Sequence, residues 1–231
     1  MSAAMKARMK ALRLTIPVMC GYLFLGVAFG ATLAQAGYGA LWALMISGLV
    51  YAGSLQFVMV PFLVSGASLV TVFLTALMVN ARHIFYGVSF IDRFARMGSW
   101  RPYMVFSLTD ETYSVFCGLK GEESDGVMLR VAAYDHLYWI AGSVVGALLA
   151  QGLPFDLTGI DFAMTALFIV ICVERVMNRA DRLPAVIGAV CAVICLILLG
   201  PDRFLAPALL LCAAILLALS RGKRDEKEAG V

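Results

Sequence analysis

From Leu69 to Ile91 the chain is apolar almost throughout, and about 22 residues at about 1.5 Å rise each cross a hydrocarbon layer of about 30 Å. The middle of that run nevertheless reads Asn80-Ala81-Arg82-His83-Ile84-Phe85-Tyr86-Gly87. A charged side chain at the centre of a lipid-facing helix costs at least about 2.5 kcal/mol, so such residues turn toward protein, water or solute and mark a functional path. The stretch predicts an all-α integral membrane protein that handles a polar species inside the bilayer, as a transporter or a channel does.

Composition points the same way. With 62% hydrophobic residues, 14% charged and a mean hydropathy of +0.90, the chain has too little polar material to cover a soluble domain. Apolar runs of about 15–25 residues exclude an outer-membrane barrel, whose strands alternate over about 10. The net charge of +3 is small, and the basic residues gather at the ends of apolar runs, where they report topology rather than nucleic-acid binding. Lys6, Arg8, Lys10 and Arg13 precede the first run and place the N-terminus in the cytoplasm. That run, which ends at Ala34-Gln35-Ala36, is longer than a signal-peptide core and is expected to persist as the first helix. The expected plan is a basic cytoplasmic segment 1–14, a single transmembrane transport domain 15–220 and a charged cytoplasmic tail 221–231. The six cysteines, Cys20, Cys117, Cys172, Cys191, Cys195 and Cys212, sit singly in apolar runs and read as small packing residues.

Further apolar stretches cover 42–64, 68–91, 103–119, 127–151, 162–177, 184–199 and 205–220. If all of them cross, both termini are cytoplasmic, but the connection carrying Arg93, Arg96 and Arg101 falls outside, against the positive-inside tendency. If 42–64 and 103–119 are instead broken or re-entrant hairpins, that conflict disappears. Each holds the polar break such a hairpin needs, at Gly53-Ser54 in one and at Thr109-Asp110 in the other, the latter within Ser107-Leu108-Thr109-Asp110-Glu111-Thr112. The expectation is a polytopic helical bundle with six to eight membrane segments, whose hairpin tips meet near the midplane in the six-segment form. The joint 152–161, with Asp156 and Asp161 and no Lys or Arg, suits the outside; Arg175, Arg179, Arg182 and the basic tail suit the cytoplasm.

Tyr51-Ala52-Gly53-Ser54-Leu55-Gln56-Phe57, then Asn80 to Gly87, then Ser107-Leu108-Thr109-Asp110-Glu111 follow one another at separations that resemble the AzlC family of bacterial inner-membrane proteins. The resemblance covers residues 15–220. It implies the large subunit of a branched-chain amino-acid exporter: a multi-pass secondary transporter for valine, leucine, isoleucine or methionine-like substrates, with a small multi-spanning AzlD-type membrane subunit as partner. Some members carry Asp where this chain has Asn80; where that carboxylate serves coupling, this chain has to couple otherwise.

A branched-chain amino acid presents a carboxylate, an ammonium group and an aliphatic tail. The planar fork of Arg82 can pair the carboxylate, helped by backbone N–H groups at Gly53-Ser54. Asp110 or Glu111 can receive the ammonium group, Gln56, Asn80 and Thr109 can complete the hydrogen bonds, and Phe57, Val60 and Phe85 can line the tail. Plainer roles compete: Arg82 can snorkel or simply neutralise Asp110, Gln56 can bond a neighbouring helix, and His83 can be a packed histidine with one hydrogen bond. For proton coupling the candidates are the adjacent acids Asp110 and Glu111, with His83 as a shuttle. Neighbouring positions on a helix differ by about 100°, so only one of the two acids is expected to face a given cavity. Tyr86, one turn beyond Arg82, reads equally as a gate or as packing.

Asp135-His136 reads as an interfacial salt bridge or partner contact near the cytoplasmic end of its stretch. The chain has no HExxH, GxSxG, CxxC or P-loop spacing, so neither a metal, a cofactor nor a catalytic residue is expected. A passive channel and an intramembrane enzyme are the alternative classes. Saturable export with substrate counterflow would separate a carrier from both.

Overall fold

The computed structural model describes residues 3–119, 124–152 and 182–200, with scattered positions between 169 and 219. The chain divides into two compact units, Met1–Met164 and Thr165–Val231. The joint with Asp156 and Asp161, the residues Arg175 and Arg179, the tail 221–231, most of stretch 162–177 and part of stretch 205–220 lie outside the described residues. All described elements are helical. The first unit comprises α1 (Ala3–Gln35), α2 (Ala40–Leu49), α3 (Gly53–Ser65), α4 (Leu69–Asn80), α5 (Arg82–Ser89), α6 (Ile91–Ala95), α7 (Arg101–Phe106), α8 (Asp110–Cys117) and α9 (Asp125–Gly152). In the second, α10 (Arg182–Leu199) is an apolar helix long enough to cross a membrane, with Cys191 and Cys195 on its buried side.

Two long helices form the frame, and small residues decide how they meet. Gly26 packs on Gly142 and Ser143, Gly30 on Ser143 and Ala147, and Gly146 on Val27. Glycines spaced four apart on both helices leave one flat seam each, which lets backbones approach without side chains between them. A Cβ at Gly30 would overlap the carbonyl oxygen of Ser143, and one at Gly146 that of Val27. Near the start of α1, Ala11 shares a buried cluster with Met128, Val131 and Ala132. The contacts therefore advance together along both helices: α1 and α9 run parallel.

Parallel neighbours need a connection that returns to its starting end, and residues 36–124 supply it. The α2–α3 pair leaves the C-terminal end of α1 and comes back to it. Gly39 lies beside Gln151, Ser47 beside His136 and Tyr51 beside Tyr22. On the way back Phe57 packs on Phe29, and the Tyr38 hydroxyl reaches the Leu63 carbonyl at 3.5 Å. At about 1.5 Å per residue, a helix of the length of α2 penetrates about 15 Å, half of a bilayer core.

The α4–α5 pair then runs to the opposite end, where Phe90 and Phe94 stack and join the Ala11 cluster. The α7–α8 pair answers the first hairpin from there. Arg101 and Val105 line a hollow with Ile91 and Ile84, so α7 climbs; Tyr113 on Tyr86 and Phe116 on Phe90 show α8 descending. Outward faces stay apolar, with Phe24, Leu69, Phe73 and Leu198 all mostly exposed, as suits a lipid environment.

One feature differs from the sequence expectation. The stretch 68–91 is not a continuous helix but α4 and α5, bent by 44° at Ala81. The bend has identifiable partners: the Asn80 carbonyl, freed from the helical ladder, bonds Nδ1 of His83 at 3.1 Å, while Arg82 is drawn sideways to Ser54 and Asp110.

Candidate functional site

Three helix interruptions meet in the first unit: Val50 to Ala52 between α2 and α3, Ala81 between α4 and α5, and Ser107 to Thr109 between α7 and α8. Residues at and beside them line an open cavity of about 170 Å³, formed by Val50, Tyr51, Ala52, Asn80, His83, Val105, Phe106, Leu108 and Thr109. Drug-sized pockets begin at about 300 Å³, so this one suits a small solute. Interrupted helices at such a point leave backbone groups and helix ends directed into a hollow rather than at lipid.

The second tip is set by capping. Thr109 has extended backbone and its hydroxyl accepts from the Thr112 amide, which starts α8 with Asp110 and Glu111 in its first turn, where carboxylates favour the helix dipole. The two acids then diverge, as their helical offset predicts. Asp110 Oδ2 pairs with Arg82 Nη1 at 2.7 Å, and Arg82 Nη2 donates to Ser54 Oγ at 3.3 Å. Arg82 is thus tied to both tips, in the ion pair that is one of its two plainer roles. Arg82 Nε and Asp110 Oδ1 are buried with no hydrogen-bond partner. Glu111 turns the other way, toward α1, and accepts from the Tyr22 hydroxyl at 2.7 Å.

Of the remaining sequence candidates, Asn80, His83 and Thr109 reach the cavity. Gly53 packs under Trp139, whose ring would lie 3.2 Å from an added Cβ. Gln56 does not line the cavity. Fully buried, it gives Nε2 to Ser47 Oγ (3.3 Å) and takes Nε1–H of Trp139 on Oε1 (2.8 Å), pinning α2, α3 and α9 together. Tyr86 stacks on Tyr113 with ring centroids 4.4 Å apart. The tail-lining set needs correction: Phe57 and Val60 are buried away from the cavity and Phe85 is 73% exposed. The apolar cavity wall is Val50, Val105, Phe106 and Leu108 instead.

A second correction concerns Asp135-His136. Ten residues into α9, at about 1.5 Å each, Asp135 lies about 15 Å from the helix start. It is fully buried, and Thr112 Oγ1 donates to its Oδ2 at 2.9 Å while Oδ1 has no partner. His136 bonds the Ser47 carbonyl through Nε2 (3.2 Å) and stacks on Tyr51 at 4.2 Å. Neither residue is an interfacial salt bridge; both belong to the interior beside the first tip. Tyr51 itself has φ 41°, a left-handed conformation costing a non-glycine residue about 1–3 kcal/mol, and packing on Tyr22, Phe106 and His136 holds it there. Nothing in the local sequence signals it, because that conformation is normally announced by glycine or asparagine. Among the described residues no three His, Cys, Asp or Glu side chains group as a metal site.

The family model of the AzlC protein matches residues 17–153, which contain all three interruptions and the cavity. The chain belongs to the AzlC family. It is 36% identical over 210 residues to the "Branched-chain amino acid transport protein AzlC" of Bacillus subtilis, covering 90% of this chain and 83% of that one. It is 40% identical over 207 residues to an uncharacterized membrane protein of Helicobacter pylori (88% and 90% covered), and 29% identical over 164 residues to the inner membrane protein YgaZ of Escherichia coli (67% of each). No solved structure matches the chain. An AzlC-family membrane protein with a transport role is what these likenesses establish, and the sequence motifs point to the same family.

Proposed function

We propose that this AzlC-family chain exports branched-chain and related aliphatic amino acids, valine, leucine, isoleucine or a methionine-like solute, across the bacterial inner membrane, coupled to protons and assembled with a small multi-spanning AzlD-type subunit. The observation that carries the reading is the meeting of three helix interruptions at one small cavity beside the Arg82–Asp110 pair. A zwitterion suits that pair by charge balance. Its carboxylate takes the place of Asp110 on Arg82 and its ammonium group the place of Arg82 on Asp110, so no unpaired charge is created inside the protein. Ser54, Asn80 and Thr109 supply further polar contacts, and Val50, Val105, Phe106 and Leu108 accept the tail. The substrate class follows the name of the Bacillus subtilis relative; His83 and Glu111 are the groups through which protons couple.

The same reading gives the topology. With the basic start of α1 in the cytoplasm, the α2–α3 hairpin dips from outside and the α7–α8 hairpin from inside. The connection with Arg93, Arg96 and Arg101 then lies at the cytoplasmic end, beside Asp125, which bonds Arg93 Nε at 3.2 Å. A single cysteine at Arg96→Cys, in a background without the native cysteines, is expected to react with an impermeant thiol reagent only from the cytoplasmic side. Labelling from outside would require 42–64 and 103–119 to cross completely.

The function is tested by counterflow of labelled valine, isoleucine and methionine in vesicles, with and without the adjacent small membrane subunit. Saturable counterflow that needs the subunit is the expected result. Unsaturable flux with ionic current would make the protein a channel, and the absence of flux for all three solutes would remove the substrate assignment.

A further inference from the structure

Glu111 on α8 and Asp135 on α9 are joined by an unbroken row of hydroxyls. Glu111 Oε2 lies 2.7 Å from Tyr22 OH, Tyr22 OH 2.7 Å from Thr109 Oγ1, Thr109 Oγ1 3.1 Å from Thr112 Oγ1, and Thr112 Oγ1 2.9 Å from Asp135 Oδ2. Each contact is a hydrogen bond only if one proton lies between its two oxygens, and a hydroxyl carries one proton. Three hydroxyls cannot fill four contacts. With both carboxyls ionised, one pair of oxygens would face each other without hydrogen at hydrogen-bond distance, in a place where Tyr22, Thr109, Thr112 and Asp135 are all buried. One carboxylic acid proton completes the row, and a second would be surplus to it.

The row can be completed in two ways. With the proton on Glu111, its O–H donates to Tyr22, Tyr22 to Thr109, Thr109 to Thr112 and Thr112 to the Asp135 carboxylate. With the proton on Asp135, every donor reverses: Asp135 to Thr112, Thr112 to Thr109, Thr109 to Tyr22, and Tyr22 to the Glu111 carboxylate. Passing from one to the other moves one proton through each contact and one net positive charge from α8 to α9, with no atom gained or lost. We infer that Glu111 and Asp135 share a single transferable proton along Tyr22, Thr109 and Thr112, an internal relay linking α1, α8 and α9; as a coupling device it rests on the exporter reading above.

The two ends have different surroundings. Glu111 borders a hollow of about 350 Å³ between α1 and α8, which includes Leu14, Pro17 and Ser114, and it directly follows Asp110, the partner of Arg82, in the first turn of α8. Asp135 has no exposed surface. His136 is its neighbour on α9, and Tyr51 of the first hairpin stacks on that histidine with ring centroids 4.2 Å apart. Tyr51 also lines the solute cavity, so the inner end of the relay lies next to the proposed substrate and the outer end next to the α1–α8 hollow.

Infrared difference spectroscopy of the full chain in lipid at neutral pH reads the shared proton directly, through the carbonyl stretch of a protonated carboxyl. Glu111→Gln is expected to remove one such signal and Asp135→Asn to remove one as well, since an amide N–H then donates at that end and no acid proton is required. The double variant is expected to lose no more than either single variant. Losses that sum to two, loss in only one of the single variants, or no loss in either overturns the relay. Should a variant not fold, carbon-13 labelling of aspartate and of glutamate carboxyls in the unmutated chain decides: both labels shift part of the band if the proton is shared, and only one does if it is not. These measurements need no substrate. Counterflow without the shared signal leaves the exporter and removes the relay, and the shared signal without counterflow does the reverse.

Discussion

Gly146→Leu is expected to yield no stably folded protein, seen as loss of the monodisperse peak and of any cooperative thermal transition in detergent. Adding even a Cβ there drives it into the Val27 carbonyl oxygen, a backbone atom on the facing helix that no rotamer change can move. Overpacking a core with side chains around it costs about 1–3 kcal/mol; here α1 and α9 must separate along their whole seam. Tyr22 and Asp135 ride on those two helices, so a separation of about 1 Å also opens the hydrogen bonds to Glu111 and Thr112. Gly30→Leu should behave alike, because its Cβ meets the Ser143 carbonyl. Gly48→Ala is the control: nothing lies within 4 Å of a Cβ there, and wild-type stability is expected. Normal folding of Gly146→Leu would mean the seam is not closed in the membrane.

Arg82→Lys is expected to weaken apparent affinity for the amino acid by about 10- to 150-fold in counterflow, the equivalent of losing one charged hydrogen bond worth about 1.5–3 kcal/mol. An ammonium group is a point donor and cannot reach Ser54 and Asp110 while also presenting a planar fork to a carboxylate. Asp110→Asn should impair transport for the complementary reason, since it leaves Arg82 without its counter-charge in a half-buried place. Unchanged substrate affinity in Arg82→Lys, with only lowered thermal stability, would reduce the pair to a strut between the two hairpin tips.

Much of the site is legible in the amino-acid sequence. Charged residues inside apolar runs are a local signal, because lipid penalises them wherever they stand, and so Arg82, Asp110 and the Gly53-Ser54 break can be picked out singly. The offset between Asp110 and Glu111 follows from helix geometry alone. Other residues stay ambiguous or are misread where local sequence carries no information about neighbours. Gln56 reads either as a solute ligand or as a bond to a neighbouring helix, and it is Ser47 and Trp139 on its two polar atoms that show the second arrangement. Phe57 and Phe85 are both aromatic residues in apolar runs, yet one is buried on Phe29 and the other is outside. Asp135 reads as interfacial because its stretch has charged residues at its start; the depth it reaches depends on α9 beginning at Asp125 and lying parallel to α1.

The sequence by itself determined that the chain is a helical membrane protein, which family it belongs to and which apolar stretches carry polar residues inside them, since hydropathy, glycine and buried charge act within a segment. Tertiary structure alone decided that the interruptions meet in one cavity, that Arg82 spans both tips and that Glu111 is joined to Asp135 through three hydroxyls. The physical reason is the glycine seam. The close parallel approach of α1 and α9 sets the distance between segments far apart in sequence, and hydrogen bonds of about 3 Å exist only when that distance is right.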